Sequence, residues 1–294
     1  MEKALFITDI DQLFDDRAEA GNGKYNRLYY GIEFCERLIP FVDELRSALE
    51  YSKRNDLDFS LVTPYVTNDG LARLSSLFDY LAEEDIYCEV IVNDWGVLNL
   101  INKSYRGLRP VLGRLLTKQK RGPKIAELMN RKTVVRPLKD IQNPEIKGFV
   151  IQKKLPKESH FYYKGANSAS VPIIHDFLIN QRIDRIELDN TAQGLCLDLP
   201  AGKITASVYM PYVYITTTFF CPTAGLTENG ESRVKIRPCS KECRKYIFRL
   251  RNDDMPKEII LKGNTQFYEN ACFDEEQFKK MNIDRIVYEA QVPV

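Results

Sequence analysis

Residues 58–92, DFSLVTPYVTNDGLARLSSLFDYLAEEDIYCEVIV, contain the unit on which the predicted fold rests. The unit begins with a buried type of strand at residues 58–63. A helix follows, which Thr67 and its polar neighbours cap and whose leucines fall on one face. A second strand at residues 86–92 completes the unit. Strand, helix and strand in this order are typical of parallel strands that are covered by helices.

The same alternation extends to both ends of the chain. Strands are predicted at residues 5–10, 26–33, 58–63, 86–92, 109–116, 183–189, 204–209, 213–220, 258–262 and 285–290. Helices are predicted at residues 41–53, from 67 onward, at 95–102, from 172 onward and at 273–281. About eight parallel strands at this length predict an α/β fold of the (β/α)8 TIM-barrel type, with imperfect closure allowed for. A doubly wound open sheet is the alternative. No G-x-G-x-x-G motif follows the first strand, so a dinucleotide-binding fold gains no support.

Length and composition predict one domain over residues 1–294, with a core of ample size. The net charge is +1, so charge alone does not direct the protein to nucleic acid or an anionic membrane. No apolar run approaches the roughly 20 residues of a membrane span. The first ten residues, MEKALFITDI, read as a strand and not as a signal peptide. We therefore expect a cytoplasmic protein.

A long insertion without the regular strand–helix pattern follows the fifth strand, at residues 118–170. Its first part is basic and its second part is irregular. Segments of this length are usually lids, binding loops or disordered insertions. The basic run is more often a solvated face than a nucleic-acid site, although a nucleic-acid partner remains open.

Cysteine spacing predicts a metal or iron–sulfur centre. The loop at residues 221–243 carries Cys221 at its start and the C-x₃-C pair Cys239 and Cys243 at its end. Three thiols on one loop need a fourth ligand, and Cys35 is the best donor because it also follows a strand. Zinc is the competing metal, since the spacing suits it as well. The remaining three cysteines fit small buried side chains.

Polar residues at the predicted strand ends are the candidates for chemistry, because active sites of parallel barrels gather there. Asn93 and Asp94 follow the fourth strand and either act on substrate or cap the next helix. Arg114 follows the fifth strand and either binds a carboxylate or forms an ion pair with Asp94 or Glu187. Glu187 on the sixth strand is either an acid/base group or part of a salt-bridge face. Only two histidines are present, which disfavours a His-dependent site.

Several segments, taken in order, resemble the collagenase-like peptidase family U32. They are YYGIEFC, LVTPYVTNDGL, VNDWGVLNLI, LGRLLTKQ, IDRIELDN, MPYVYITTTFFC and the C-x₃-C pair, which together extend from Tyr29 to Cys243. The likeness is greatest to the short, iron–sulfur members that act in oxygen-independent ubiquinone biosynthesis.

This resemblance implies a [4Fe–4S] cluster held by Cys35, Cys221, Cys239 and Cys243. It further implies hydroxylation of an aromatic ring or nucleobase without O₂, prephenate as a carboxylate oxygen donor, and a heterodimer with a homologous chain. Arg114 would bind the carboxylate, while Asn93, Asp94 and Glu187 would orient substrate or move protons. The chain departs from the pattern in the long segments after Lys118 and Cys221, and in Arg244, where a further cysteine is usual.

Two alternatives remain. One is a peptidase of the kind that gives the family its name, although the sequence offers no nucleophile–base pair for it. The other is a non-catalytic partner subunit whose cluster or zinc ion is structural.

Overall fold

A computed structural model describes residues 1–14, 24–137, 148–165, 171–225 and 239–294 of the chain. Eight strands form a closed parallel barrel in the order β1-β14-β9-β8-β5-β4-β3-β2. Their bounds are β1 Glu2–Ile7, β2 Arg27–Gly31, β3 Asp58–Val62, β4 Glu89–Val92, β5 Arg109–Leu112, β8 Arg185–Asp189, β9 Thr205–Met210 and β14 Ile283–Glu289. The predicted barrel class is confirmed.

Seven α-helices lie in the described ranges. They are α1 Val42–Arg54, α2 Asn68–Glu83, α3 Trp95–Ser104, α4 Ile125–Met129, α5 Glu158–Lys164, α6 Pro172–Asn180 and α7 Glu275–Lys280. The barrel is imperfect because residues 190–204, which join β8 to β9, contain no helix. None of the helices in these described ranges has the length and apolar character that crossing a membrane would need.

The barrel has two apolar layers because its strands are covered on both sides. Side chains such as Tyr29 and Ile91 point inward and fill the barrel. Their strand neighbours, such as Leu28 and Val90, point outward and pack against the helices. On α2 the buried residues recur at helical spacing (Leu74, Leu77, Phe78 and Leu81). Near-continuous burial along each strand follows from this two-sided cover.

A second sheet lies over the carboxyl-end mouth of the barrel. It is antiparallel, with the order β10-β13-β12-β11, and its strands are β10 Tyr212–Thr217, β11 Phe248–Leu250, β12 Ile259–Lys262 and β13 Thr265–Glu269. Its buried side chains pack against residues that follow β2 and β14, in one cluster that includes Phe34, Phe267 and Val294. The segments predicted at 213–220 and 258–262 are therefore strands of this cover and not of the barrel.

The described part of the insertion after β5 has structure of its own. Strands β6 Val134–Pro137 and β7 Phe149–Gln152 pair as an antiparallel ribbon. The ribbon presents Val135, Phe149 and Ile151 to solvent, each more than half exposed. Residues 138–147 and 166–170 of the predicted lid lie outside the described residues, and whether the insertion acts as a lid stays a prediction.

Candidate functional site

One cavity at the barrel mouth is lined by all four predicted cysteine ligands, Cys35, Cys221, Cys239 and Cys243. We call it the thiol cavity. Its volume is about 270 Å³, whereas a single water molecule needs only roughly 10–15 Å³. The cavity therefore has room for a group much larger than one ion.

Cys35 reaches the cavity because β2 ends in a glycine. Gly31 has a φ of +130°, and a Cβ at this position would lie 2.2 Å from the carbonyl oxygen of Val62. Only glycine allows this close approach to β3. The next residue, Ile32, continues the pairing by donating its N–H to the same carbonyl at 3.1 Å. The chain then runs across the mouth and presents Cys35.

The other three thiols come from the two ends of the 221–243 loop, of which residues 226–238 lie outside the described part. Cys221 stands four residues after the end of β10, and its sulfur lies 3.2 Å from the hydroxyl of Thr223. Cys243 is buried in a short 3₁₀ turn and packs in the cluster beneath the second sheet. Cys221 was predicted to follow a barrel strand. It follows β10, which is a strand of the second sheet.

Asn264 joins the segments that carry the thiols. Its side-chain N–H₂ donates to the carbonyl of Phe34 at 2.5 Å and to the carbonyl of Thr218 at 2.8 Å. It also lies 3.1 Å from the hydroxyl of Tyr65. One buried amide thus fixes the chain before Cys35, the chain before Cys221 and the third strand's exit. The sequence analysis did not single out Asn264.

Aromatic side chains form another part of the cavity wall. Tyr65 and Phe219 stand edge to face with ring centroids 4.5 Å apart, and Phe220 lies beside them. Phe219 is 69% exposed, so its ring is accessible from solvent. Exposed Arg37 also lines the cavity and forms no ion pair with the described residues. These residues were missed by the sequence analysis, although Phe219 and Phe220 directly precede Cys221.

The thiols lie in surroundings that suit metal-bound sulfur. Burial raises the pKa of Cys35, which the backbone N–H groups of Arg37 and Leu38 oppose. Burial and the three other thiols raise the pKa of Cys243 to about 11. The N–H of Lys241 points to the sulfur of Cys239 at 3.4 Å. Thiols crowded in this way resist ionising together unless a cation joins them, and N–H groups aimed at sulfur are typical of metal–thiolate sites.

The donor set fits an iron–sulfur cluster. Four thiols at one cavity, with hydrogen-bond donors at several sulfurs, are the usual ligands of a [4Fe–4S] cluster. Among the residues that the structure describes, no three His, Cys, Asp or Glu side chains converge closely enough to hold a single metal ion. A zinc ion with four thiolates would bring the sulfurs to about 4 Å from one another.

Arg114 lies beside the cavity and not in its wall. Its guanidinium is fully buried and donates to Glu33, to Asp189 at 3.0 Å and to Glu289 at 2.8 Å. The ring of Tyr209 lies 3.8 Å from the guanidinium carbon. The predicted partners Asp94 and Glu187 are not among these contacts. A substrate carboxylate would have to displace a protein carboxylate from Arg114.

We call Glu33, Asp189, Glu289, Arg114 and Arg121 the carboxylate cluster. It contains three carboxyl groups and two guanidinium groups, since Arg121 also pairs with Asp189. Burial raises the pKa of Glu289 to about 8 although Arg114 opposes the shift. With one acid in excess, the cluster holds a proton near neutral pH. Its three acids stand at or shortly after the carboxyl ends of the barrel strands β2, β8 and β14.

Asn93 and Asp94 have structural partners. The amide of Asn93 donates to the carbonyl of Thr63 at 2.9 Å and accepts the N–H of Leu115 at 3.1 Å. Asp94 caps α3 by accepting the N–H groups of Gly96 and Val97. Capping was one of the two predicted roles of Asp94. Neither residue lines the thiol cavity, and their catalytic roles stay predictions.

Glu187 lies inside the barrel, fully buried. The hydroxyl of Tyr29 donates to one of its carboxyl oxygens at 3.0 Å. Its other oxygen and the hydroxyl of Tyr209 have no hydrogen-bond partner among the described residues. Burial raises the pKa of Glu187 to about 7, although Arg285 and Arg185 act in the opposite direction.

Replacing Glu187 with glutamine is expected to flatten the dependence of stability on pH. The folded-state pKa is raised, so stability from this group is complete below the ordinary carboxyl pKa and is lost as pH rises through about 7. At 1.36 kcal/mol per pKa unit, the wild type loses about 3 kcal/mol between pH 4.5 and 8 that the variant keeps. Urea unfolding at several pH values measures this. The matched control is Glu83→Gln, which replaces an exposed acid of α2 and should leave the pH dependence of stability unchanged. If the free energy of unfolding varies with pH equally in the wild type and in Glu187→Gln, the expectation is contradicted.

Comparisons with known proteins give distant likenesses in fold. A U32 peptidase, Mk0906, is 12% identical, with 99% of this chain and 93% of that chain covered at a TM-score of 0.43. An immunomodulatory chitinase of Trichuris suis is 10% identical, with 97% and 91% covered at a TM-score of 0.37. Human YKL-39, a pseudo-chitinase that retains chitooligosaccharide binding, is 12% identical, with 98% and 91% covered, also at 0.37. No protein-family model and no curated protein matches the chain. Likenesses at these scores say nothing of activity, and the barrel itself follows from the strand pairing.

Proposed function

We propose that this chain is an iron–sulfur protein of the collagenase-like peptidase family U32 that catalyses or assists O₂-independent hydroxylation of an aromatic or nucleobase substrate. The observation that carries the proposal is the meeting of Cys35, Cys221, Cys239 and Cys243 at one cavity on the barrel mouth. Thiols from two distant parts of the chain that line one cavity support a ligand shared by both parts. The resemblance of the cysteine-bearing segments to the family supports the same reading.

In this proposal the four cysteines hold a [4Fe–4S] cluster, which supplies electron transfer when it is bound. We prefer the cluster to zinc because the cavity is much larger than a single ion needs and because the cysteine-bearing segments resemble the iron–sulfur members of the family. Asn264 keeps the segments of Cys35 and Cys221 together. Arg114 and Asn93 join chain segments at the mouth of the barrel through their hydrogen bonds. Asp94 caps α3 and Glu187 lies inside the barrel, and none of the four residues lines the cavity.

The part of the cavity wall that Tyr65, Phe219 and Arg37 form suits a planar substrate ring that binds next to the carboxylate of a second molecule. Tyr65 and Phe219 offer aromatic surfaces for stacking. Arg37 is exposed, without an ion-pair partner in the described ranges, and is the better placed cation for the carboxylate of an oxygen donor such as prephenate. The donor's C–O bond breaks and a C–O bond to the substrate ring forms, while the hydrogen that the ring gives up ends on the donor carbon. The ring is oxidised by two electrons and the donor is reduced by the same two, so no O₂ is consumed.

The insertion after β5 favours a nucleobase over a free aromatic compound. Its described residues, 118–137 and 148–165, contain eleven basic and two acidic side chains. The insertion leaves the barrel at the same mouth as the thiol cavity, and Arg121 anchors its base to Asp189. A basic segment that begins at this mouth suits binding to the phosphate backbone of a nucleic acid.

The test is anaerobic purification followed by metal analysis and product analysis. We expect about four irons per chain and, with prephenate present under argon, a product that is one oxygen atom heavier from RNA or a phenol. A folded anaerobic preparation without iron would overturn the proposal. Activity that appears only with a second, homologous chain would assign the assisting role in a heterodimer. Hydrolysis of gelatin that survives loss of all four cysteines would assign a peptidase instead.

A further inference from the structure

Lys262 is a buried cation whose charge the described protein leaves without an ion pair. The residue is 6% exposed, and its ammonium donates to the carbonyl of Val292 at 2.7 Å. No carboxylate in the described ranges lies within ion-pair distance of it. Lysine is almost never buried unless an anion pairs with it, because removing its charge from water costs several kcal/mol. A buried lysine of this kind indicates that an anion binds next to it.

The thiol cavity is the place to which Lys262 is adjacent. The two residues after it, Gly263 and Asn264, line the cavity. A Cβ built on Gly263 would lie 3.3 Å from the Cβ of Cys243, so the turn after Lys262 packs closely against Cys243. Lys262 is near enough to Cys243 for an electrostatic interaction. Gly263 has a φ of +58°, and this left-handed turn holds the β12 end against the turn that carries Cys243.

The other charged groups near Lys262 do not neutralise it. Asp9 and Arg244 both act on it electrostatically, with opposite signs. These two residues pair with each other at 3.5 Å, which leaves little net charge for Lys262. Of the groups that act on Lys262, the thiol of Cys243 is therefore the remaining acid in the described surroundings.

We infer that Lys262 supplies the positive charge that offsets a thiolate-bound group in the thiol cavity, and that it raises the reduction potential and the retention of that group. The inference rests on the proposed cluster. Four thiolates carry more negative charge than an iron–sulfur core carries positive charge, so the assembled group is an anion. Reduction adds one further electron, which a buried ammonium favours because charges interact strongly where water is excluded.

The decisive variant is Lys262→Met, which keeps the length of the side chain and removes its charge. In the iron-loaded protein we expect a more negative midpoint potential in an EPR-monitored dithionite titration. Iron loss to a chelator should be about tenfold faster, as is typical when a group next to a metal's ligands is removed. In the iron-free protein we expect the substitution to stabilise the fold and to raise the melting temperature, because an uncompensated buried charge has been removed.

Two further variants control the measurement. Lys262→Arg keeps the charge and should keep the potential nearer to that of the wild type than Lys262→Met does. Lys103→Met removes an exposed lysine on α3 and should change neither potential nor iron loss. If Lys262→Met does not fold, Lys262→Gln carries the same test.

The outcomes separate this inference from the proposed function. A loaded Lys262→Met protein with wild-type potential and iron retention overturns the role of Lys262 and leaves the cluster standing. A lower melting temperature of the iron-free variant also overturns that role, since the charge would then have a partner in the empty protein. A wild-type protein that takes up no iron overturns both.

Discussion

Replacing Arg114 with leucine is expected to lower the free energy of unfolding at pH 7–8 by about 3–5 kcal/mol, the usual cost of removing one partner from a buried ion pair. Arg114 is fully buried and joins the exit of β2, the exit of β8 and the end of β14 through Glu33, Asp189 and Glu289. Leucine would leave these carboxyl groups facing each other, with only Arg121 to offset them.

The matched control is Arg109→Leu, five residues earlier at the start of β5. Arg109 also forms an ion pair, at 2.8 Å to Asp184, but both side chains are about half exposed. Exposed pairs contribute about 0–1 kcal/mol. The two substitutions are chemically identical, so the difference between them isolates the effect of burial.

The destabilisation by Arg114→Leu should shrink as pH falls. Burial already raises the pKa of Glu33 and Glu289 against the pull of Arg114. Without Arg114 these groups take up protons more readily, so the variant loses its excess charge in acid. Urea unfolding at pH 5 and pH 8 measures the effect. Equal losses for Arg114→Leu and Arg109→Leu, or a loss that grows in acid, would show that the buried cluster does not hold the mouth together.

The barrel was predictable because each of its units is local. A strand of β-formers, a helix with one apolar face and a second strand can be identified from neighbouring residues, as in residues 58–92. The predicted cap of this helix was wrong, because the hydroxyl of Thr67 donates to Glu36 and not to the helix. The second sheet was not predictable in the same way. Strand β10 looks like one more barrel strand, yet its partner is β13, about 50 residues further on. Which strands pair over such distances depends on packing at the barrel mouth and not on local pattern.

The thiol cavity was predictable for a related reason. Strand ends of a parallel barrel meet at one mouth, and this places Cys35 near a loop that follows later strands. The residues that support the cavity were not predictable. Asn264 stands in a turn between two strands of the cover, and nothing in its sequence neighbourhood distinguishes it from an ordinary turn asparagine. Arg114 was identified, but its partners depend on the height of each strand in the barrel, so Glu289 was missed.

Replacing any one of Cys35, Cys221, Cys239 or Cys243 with serine is expected to reduce the iron content from about four per chain to less than about one. Serine keeps the size of each side chain but is a poor ligand for iron in place of thiolate. Because the four thiols line one cavity from three chain segments, each loss opens the site on a different side. The absorbance of the anaerobic protein and its iron and sulfide content measure the effect.

Cys88→Ser and Cys272→Ser are the matched controls. Cys88 is buried among the apolar side chains between strands and helices, and burial raises its pKa to about 12. Cys272 is exposed. Neither residue lines the thiol cavity, so both variants should bind iron as the wild type does. The melting temperature of each iron-free variant separates loss of metal from loss of fold.

The response of Cys35 decides whether the barrel itself takes part in the site. Three of the thiols belong to a single loop of the cover and would stay together even if the loop bound metal alone. Cys35 belongs to the segment after β2, which the turn at Gly31 and the hydrogen bond from Asn264 to Phe34 bring to the cavity. If Cys35→Ser loses iron as fully as Cys243→Ser does, the site needs a ligand from the barrel as well as those from the loop. Retention of iron by Cys35→Ser, with loss in the other three variants, would confine the metal to the loop and remove the barrel from the proposed chemistry.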